Sequence, residues 1–499
     1  MSFLNLKKLL ISGQLIQSLS NLSLANRISC LYIAMFTAFL ISVSFFRADG
    51  SLGYDGDTLI LASQFIKLVN PEIFGSFDLG TNPKPLIMLI SGVSYLCFDN
   101  LILLNLTFFI SFLYMINRIG TRFGDHLFVS IGMLLLASNP FILTPLFGAD
   151  GSLLYLIFVT LATDSLIFEN KFGKFLSLMF LAWLARPGVE TVLFGAVILF
   201  FITRNQKRAL ITLICALFCI LLSTNVWRLS YQSYTEFQTA VFGGVHGSLA
   251  DTFSAPFFSR LNFTLTSFFN GIYDYYRMPT NLLVLALATF SLFNLRPNTA
   301  KMLFLIGSSL GTAILATFIS GVNLVTTHKL PELAFVALIA ILGSRIIQAI
   351  ESFFSSRTLR FFCAVSIVFS ILGISFYGYL SQGKYEIAID GSGVGNLGWK
   401  SLESSRTLVL DHFPTGTQLT ICADNDSITF ATLDFGLSAK RIDVANSPVV
   451  TLHDSYDLYI LRNQSIDTKF SSWTHLKDKD IDYYLRKQSF KTKVTPIAQ

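Results

Sequence analysis

Charge is what this chain has least of: Asp, Glu, Lys and Arg together make up 13% of its 499 residues. The length alone would suggest two to four soluble domains, and so few ionic groups exclude them. Paired cysteines are missing as well. Cys30, Cys97, Cys215, Cys219, Cys363 and Cys422 form no CxxC pair, which leaves neither a disulfide framework nor a zinc site. A nucleotide fingerprint is absent too: "GSGVGNLG" (391–398) has a GxGxxG-like spacing, but no apolar strand runs into it, so a turn-rich linker is the better reading. The N-terminus carries Lys7 and Lys8 but no compact apolar core before a small-residue cleavage site. That reads as an amphipathic helix over 1–26 on the cytoplasmic face, not a cleaved signal.

What is present in excess is apolar. Hydrophobic residues reach 53%, with 49 phenylalanines, and the mean hydropathy is +0.60. The expected class is a polytopic α-helical membrane protein. A span needs about 17 to 25 apolar residues. Eleven runs are candidates: 28–46, 100–117, 127–144, 151–168, 175–186, 189–203, 209–225, 280–295, 302–320, 332–346 and 361–380. Residues 84–97 begin with Lys-Pro and are too short to span, which suits an interfacial or re-entrant helix. With the N-terminus inside, the pairs Arg118 and Arg122, Lys171 and Lys174, Lys207 and Arg208, and Arg296 and Lys301 all fall in cytoplasmic loops. The positive-inside rule therefore favours eleven spans with 84–97 at the outer surface. The net charge of +6 is spent on orientation and is no nucleic-acid signal.

This topology puts loops 47–99 and 226–278 outside, together with a short loop at Asp150 and the chain beyond 384. The membrane domain covers 27–383. From 384 to 499 the composition is that of a small extracytoplasmic α/β domain, with strands expected at 418–423, 441–445 and 457–463 and helices at 399–413 and 427–437.

The informative residues are charged, outside and near the membrane. Asp55 and Asp57 follow the first span, Lys84 opens 84–97, and Asp150 is the acid of the second outer loop. Arg186 and Glu190 flank the break "ARPGVE", Arg260 and Arg277 lie in the long loop, and His328 and Lys329 stand before a late span. A carboxylate at a cavity mouth can act as general base on an attacking hydroxyl or amine. Cations at headgroup depth can hold a lipid phosphate and stabilise it as it leaves.

The order of these features resembles the GT-C membrane glycosyltransferases, particularly the protein O-mannosyltransferase and aminoarabinose-transferase-like branch. There an acidic motif follows the first span, matched by Asp55 and Asp57. A Lys-Pro-Pro-Leu-type stretch starts an interfacial helix, matched by "NPKPL" (82–86), which has one proline between Lys84 and Leu86. An acid before the fourth span is matched by Asp150, and a mid-chain Arg-Pro pair by Arg186. A late Arg-Tyr-Leu-Leu-Pro-like motif has its counterpart in "THKLP" (327–331), where Thr327 and His328 replace Arg and Tyr. The resemblance covers about residues 28–380. It implies Asp57, with Asp55, as general base and Asp150 as a second acid. It implies Lys84 as a phosphate ligand, with Arg186, Lys329, His328, Arg260 and Arg277 as further substrate-binding residues. The implied reaction moves a sugar from a polyprenyl-phosphate-type donor to a lipid, glycan or protein on the outer face of a bacterial inner membrane, among membrane lipids and without nucleic acid.

Each residue also has a plainer account. Asp57 could cap the following helix, Lys84 could snorkel beside a proline, Asp150-Gly151 could be a tight turn, and Arg186 could bridge Glu190 one helical turn on. No cofactor is demanded; the acids of the first two outer loops could bind a divalent cation, but no compact ligand cluster calls for one. The rival functions are a flippase for lipid-linked saccharides and a non-enzymatic scaffold. Against the flippase, the spans hold few interior charges and no obvious repeat.

Overall fold

The structure is a computed structural model. It describes residues 84–98, 102–123, 151–186, 188–229, 256–276 and 297–320, much of 409–487, and shorter pieces around 61–69, 330–338 and 352–366. Eight helices are described in full in these stretches: α1 Pro85–Phe98, α2 Ile102–Phe123, α3 Gly151–Ile167, α4 Phe172–Ala185, α5 Glu190–Ile202, α6 Gln206–Leu229, α7 Phe257–Tyr276 and α8 Pro297–Ser320. Six of the expected spans are thus found as helices, each shifted by a few residues. The expected spans 28–46, 127–144 and 280–295 lie outside the described residues, as does most of 361–380.

The shifts have local causes. Helix α8 starts at Pro297, five residues before the apolar run, because proline suits the first helical position, where its missing N–H costs nothing. Helix α2 continues past residue 117 to Phe123 because its polar last turns, with Arg118 and Arg122, pair across to α3. Helix α7 was not expected at all within the loop 226–278. Polar residues interrupt its apolar ones, and some of them face inward: Thr264 and Ser267 are buried, while Phe258 (79%) and Phe269 (62%) are exposed.

That inside-out arrangement recurs in apolar form on the neighbours. Helix α6 points Leu210, Ile214, Leu217, Phe218 and Leu221 outward at helical spacing, with Leu221 62% exposed. An apolar stripe of this length on the outer surface is costly in water and costs nothing in hydrocarbon. Helices α6 and α8 contain stretches, Gln206–Ser223 and Pro297–Ile319, long and apolar enough to cross a membrane.

Helix α4 packs on α3, and α5 packs on both α6 and α8. The α5–α8 contact is close because Gly195 has no side chain: a Cβ there would fall 2.3 Å from Ser309 Oγ and 2.8 Å from its amide nitrogen. Ser308 Oγ donates to Gly195 O at 3.2 Å across the same contact. Gly92 does the same for α1, where a Cβ would collide with the side chain of Phe65 from the helical piece that follows Asp57 in sequence.

The C-terminal region forms a mixed five-stranded sheet in the order β2-β1-β4-β7-β6 and a two-stranded sheet of β3 and β5. Strands β1 Thr420–Asp424, β2 Arg441–Ala445 and β4 Leu458–Leu461 run parallel and match the three expected strands. Strands β6 Trp473–Asp478 and β7 Ile481–Arg486 add an antiparallel hairpin that was not expected. Strands β3 Val449–Thr451 and β5 Ser465–Asp467 were likewise not expected. Of the two expected helices, 399–413 and 427–437, the structure describes a few residues, and 409, 431 and 435 are helical. Burial lifts the Cys422 thiol to about 12. Burial and a 3.0 Å hydrogen bond donated to Asp443 lift the Tyr456 hydroxyl to about 12.

Candidate functional site

Contacts at both ends of α4 and α5 fix which groups share an end. The Phe172 ring meets Phe200 edge-on at 5.6 Å, with the Arg208 guanidinium 5.4 Å above it. Thus the start of α4, the end of α5 and the start of α6 lie together. At the other end Trp183 Nε1 donates to Ser223 Oγ at 2.8 Å, and Ser223 Oγ donates to Glu190 Oε1 at 3.1 Å. The two helices therefore run antiparallel, and Arg186, Gly188 and Val189 lie in the turn between them. Each is about 20 Å long at 1.5 Å per residue, shorter than the hydrocarbon core of about 30 Å.

The first end is ionic. Arg122 Nε binds Asp164 Oδ1 at 2.8 Å and its Nη2 binds Glu169 Oε1 at 2.6 Å. Arg118 pairs with the same two acids, and Lys171 and Lys174 each reach Glu169 Oε2 at 3.4 Å. Through these pairs Asp164 anchors α2 to α3. A cavity of about 30 Å³ here, against Arg122, Thr160 and Asp164, is sized for about one water and not for a sugar.

The opposite end is built around Arg186-Pro187-Gly188. Arg186 closes α4 in an extended conformation (φ −163°, ψ 133°), since the following proline excludes the helical state for its predecessor. Gly188 takes φ 132°, a backbone state that only glycine adopts without strain. The Gly188 carbonyl is held by Tyr155 Oη at 3.1 Å and Thr191 Oγ1 at 3.3 Å. Tyr155 lies one turn into α3, so the start of α3, which directly follows Asp150 in sequence, is at this end too. A Trp183–Ser223–Glu190 chain of hydrogen bonds ties the end of α4, α6 and the start of α5 together. Sequence reasoning missed Trp183, Ser223 and Tyr155. Their signal was only that polar or amphipathic side chains sat in otherwise apolar runs.

Lys84 precedes α1 and is 4% exposed. Helix α1 packs on α2 and on α4, the helix that ends at Arg186. Ser94 Oγ accepts from Leu103 N at 3.0 Å, tying the end of α1 to the start of α2. Arg260 in α7 places its guanidinium 5.0 Å above the Phe318 ring near the end of α8. Met302 and Ile306, near the start of α8, line the cavity at the ionic end. Phe318 and Arg260 are therefore at the far end, with the Arg186 turn. Among the described residues, Arg260 Nε is buried with no hydrogen-bond partner. Of the expected site residues, Lys84, Arg186 and Arg260 are described. Asp55, Asp57, Asp150, Arg277, His328 and Lys329 lie outside the described residues.

No family model matches the chain, and no curated protein matches it. Among solved structures it is similar to the crystal structure of ArnT from Cupriavidus metallidurans bound to undecaprenyl phosphate. The TM-score is 0.49 and the identity 12%, over 91% of this chain and 97% of that one. At that score the likeness leaves any assignment to the chain's own residues.

Proposed function

We propose that the chain is a multi-pass membrane glycosyltransferase that moves a sugar from a polyprenyl-phosphate donor to an acceptor on the outer face of the membrane. What supports this most is the division of charge along the helices. At one end Arg118 and Arg122 are paired with Asp164 and Glu169, while at the other Arg260 lies over an aromatic ring with its Nε buried and without a partner among the described residues.

In this reading Asp57, assisted by Asp55, takes the proton from the acceptor hydroxyl or amine as it attacks the anomeric carbon. The bond to the carrier phosphate breaks on the opposite face, and the configuration inverts. Asp150 orients the acceptor. Lys84, Arg186 and Arg260 hold the phosphate and offset the charge it gains on leaving, joined by Arg277, His328 and Lys329. A guanidinium suits that task because it binds two phosphate oxygens in one plane and stays charged at any depth. Arg260 Nε, buried and without a partner among the described residues, leaves a donor for an oxygen that arrives with the substrate. The Gly188 carbonyl, held by Tyr155 and Thr191, fixes the turn beside Arg186 before substrate binds, which is how preorganised donors contribute most.

The test is transfer of labelled sugar from a polyprenyl carrier in membranes containing the full chain. Asp57→Asn should lower the rate by about 10²- to 10⁴-fold, the range for loss of a general base, with expression and thermal stability unchanged. Transfer at the original rate would remove Asp57 from the chemistry.

A further inference from the structure

Helices α5 and α6 join through a corner whose backbone is unusual. Asn205 N donates to Phe200 O at 2.8 Å and Arg204 N to Phe201 O at 3.0 Å, the paired bonds of a Schellman helix end. Asn205 then caps α6 at once, its Oδ1 accepting from Arg208 N at 3.3 Å. The residue this helix end puts in the left-handed region is usually glycine; here it is Arg204, at φ 57°. Arginine at that position is disfavoured for the backbone, so the reason for it lies in the side chain.

Arg204 and Lys207 are exposed at this corner. The neighbouring α3–α4 corner adds Lys171 and Lys174, and the two corners are joined by Arg208 Nη1 donating to Asn170 Oδ1 at 2.6 Å. Lys171 and Lys174 approach Glu169, which they share with Arg118 and Arg122. Directly below the cations the surface turns apolar. Phe201 and Ile202 are exposed at the end of α5, and Leu210 and Ile214 lead down α6 from Lys207. The site therefore has two tiers, a cationic rim and an outward apolar wall, in the order of a phospholipid's own headgroup and acyl chains.

We infer that the corner formed by Lys171, Lys174, Arg204, Lys207 and Arg208 is a binding site for an anionic phospholipid, with its chains lying on Phe201, Ile202, Leu210 and Ile214. The site is at the opposite end of the helices from Arg186 and does not depend on the transferase reading. A cation near an anionic lipid surface contributes roughly fivefold in affinity.

The experiment uses the full chain in a neutral detergent and follows its melting temperature as phosphatidylglycerol or phosphatidylcholine is added. Phosphatidylglycerol should raise the melting temperature at concentrations where phosphatidylcholine does not. Arg204→Gly relieves the left-handed residue while removing its charge, so that variant should be at least as stable as the parent without lipid. Combined with Lys207→Gln it should need roughly 25-fold more phosphatidylglycerol for the same shift. Equal responses to the two lipids, or a double variant that titrates like the parent, would overturn the site. So would the full shift produced by inorganic phosphate alone, which would make it a site for a free anion.

Discussion

The two ends of the helix layer handle charge in opposite ways. At one, Asp164 and Glu169 are shared among Arg118, Arg122, Lys171 and Lys174 within salt-bridge distance. At the other, Glu190 is bonded to a neutral serine, Gly188 is pinned by a tyrosine and a threonine, and Arg260 lies over a ring. Pairs of this kind fix α2 against α3. On the reading proposed above, oriented donors at the second end meet the charge that appears during a reaction, so the first end carries structure and the second the chemistry.

Substitutions at the two ends should separate accordingly. Asp164→Asn leaves Arg118 and Arg122 facing an uncharged group and should cost about 3 kcal/mol, as breaking a largely buried pair does. It should lower the melting temperature and leave the transfer rate per folded molecule near that of the parent. Arg186→Gln should do the reverse, reducing kcat/KM for sugar transfer about 10²-fold, roughly 2.7 kcal/mol of transition-state stabilisation, with a smaller effect on melting. If both variants lose activity and stability in step, the two ends are not distinct. Between them, Gly195→Ala forces α5 from α8 and should cost about 2 kcal/mol, read as a lower melting temperature.

The smallest effect belongs to the C-terminal sheet. Cys422 and Tyr456 have their pKa values raised to about 12 by burial, above ordinary values of 9.0 and 10.0. A group raised in the folded state contributes stability fully below its unfolded value and loses it as pH climbs through the folded one. The sheet should thus weaken between pH 9 and 12, and circular dichroism of the full chain across that window would show the strand signal fading.

Much of this architecture was legible because apolar runs are a strong signal where lipid is the solvent. The helices at 102–123, 151–167, 172–185, 190–202, 206–229 and 297–320 follow runs visible in the sequence. Helix α7 was not legible, because a helix that buries Thr264 and Ser267 and turns Phe258 and Phe269 outward breaks its apolar residues with polar ones and leaves no continuous apolar run. Strands β6 and β7 were missed for a related reason: alternate residues such as Lys477 and Asp482 face outward, and the charge hides the period of two. At the site, Arg186 stood out through its proline. Trp183, Ser223 and Tyr155 did not, because their meaning lies in which helices meet, and hydropathy does not record that.

Sidedness is the claim on which the functional account rests, and single-cysteine labelling in intact cells tests it most directly. In a chain whose native cysteines are replaced by serine, Asp57→Cys and Asp150→Cys should react with a membrane-impermeant maleimide from outside. Lys174→Cys should react only after the membrane is permeabilised. Labelling of positions 57 and 150 from opposite faces, or of 174 together with both from outside, would contradict the account.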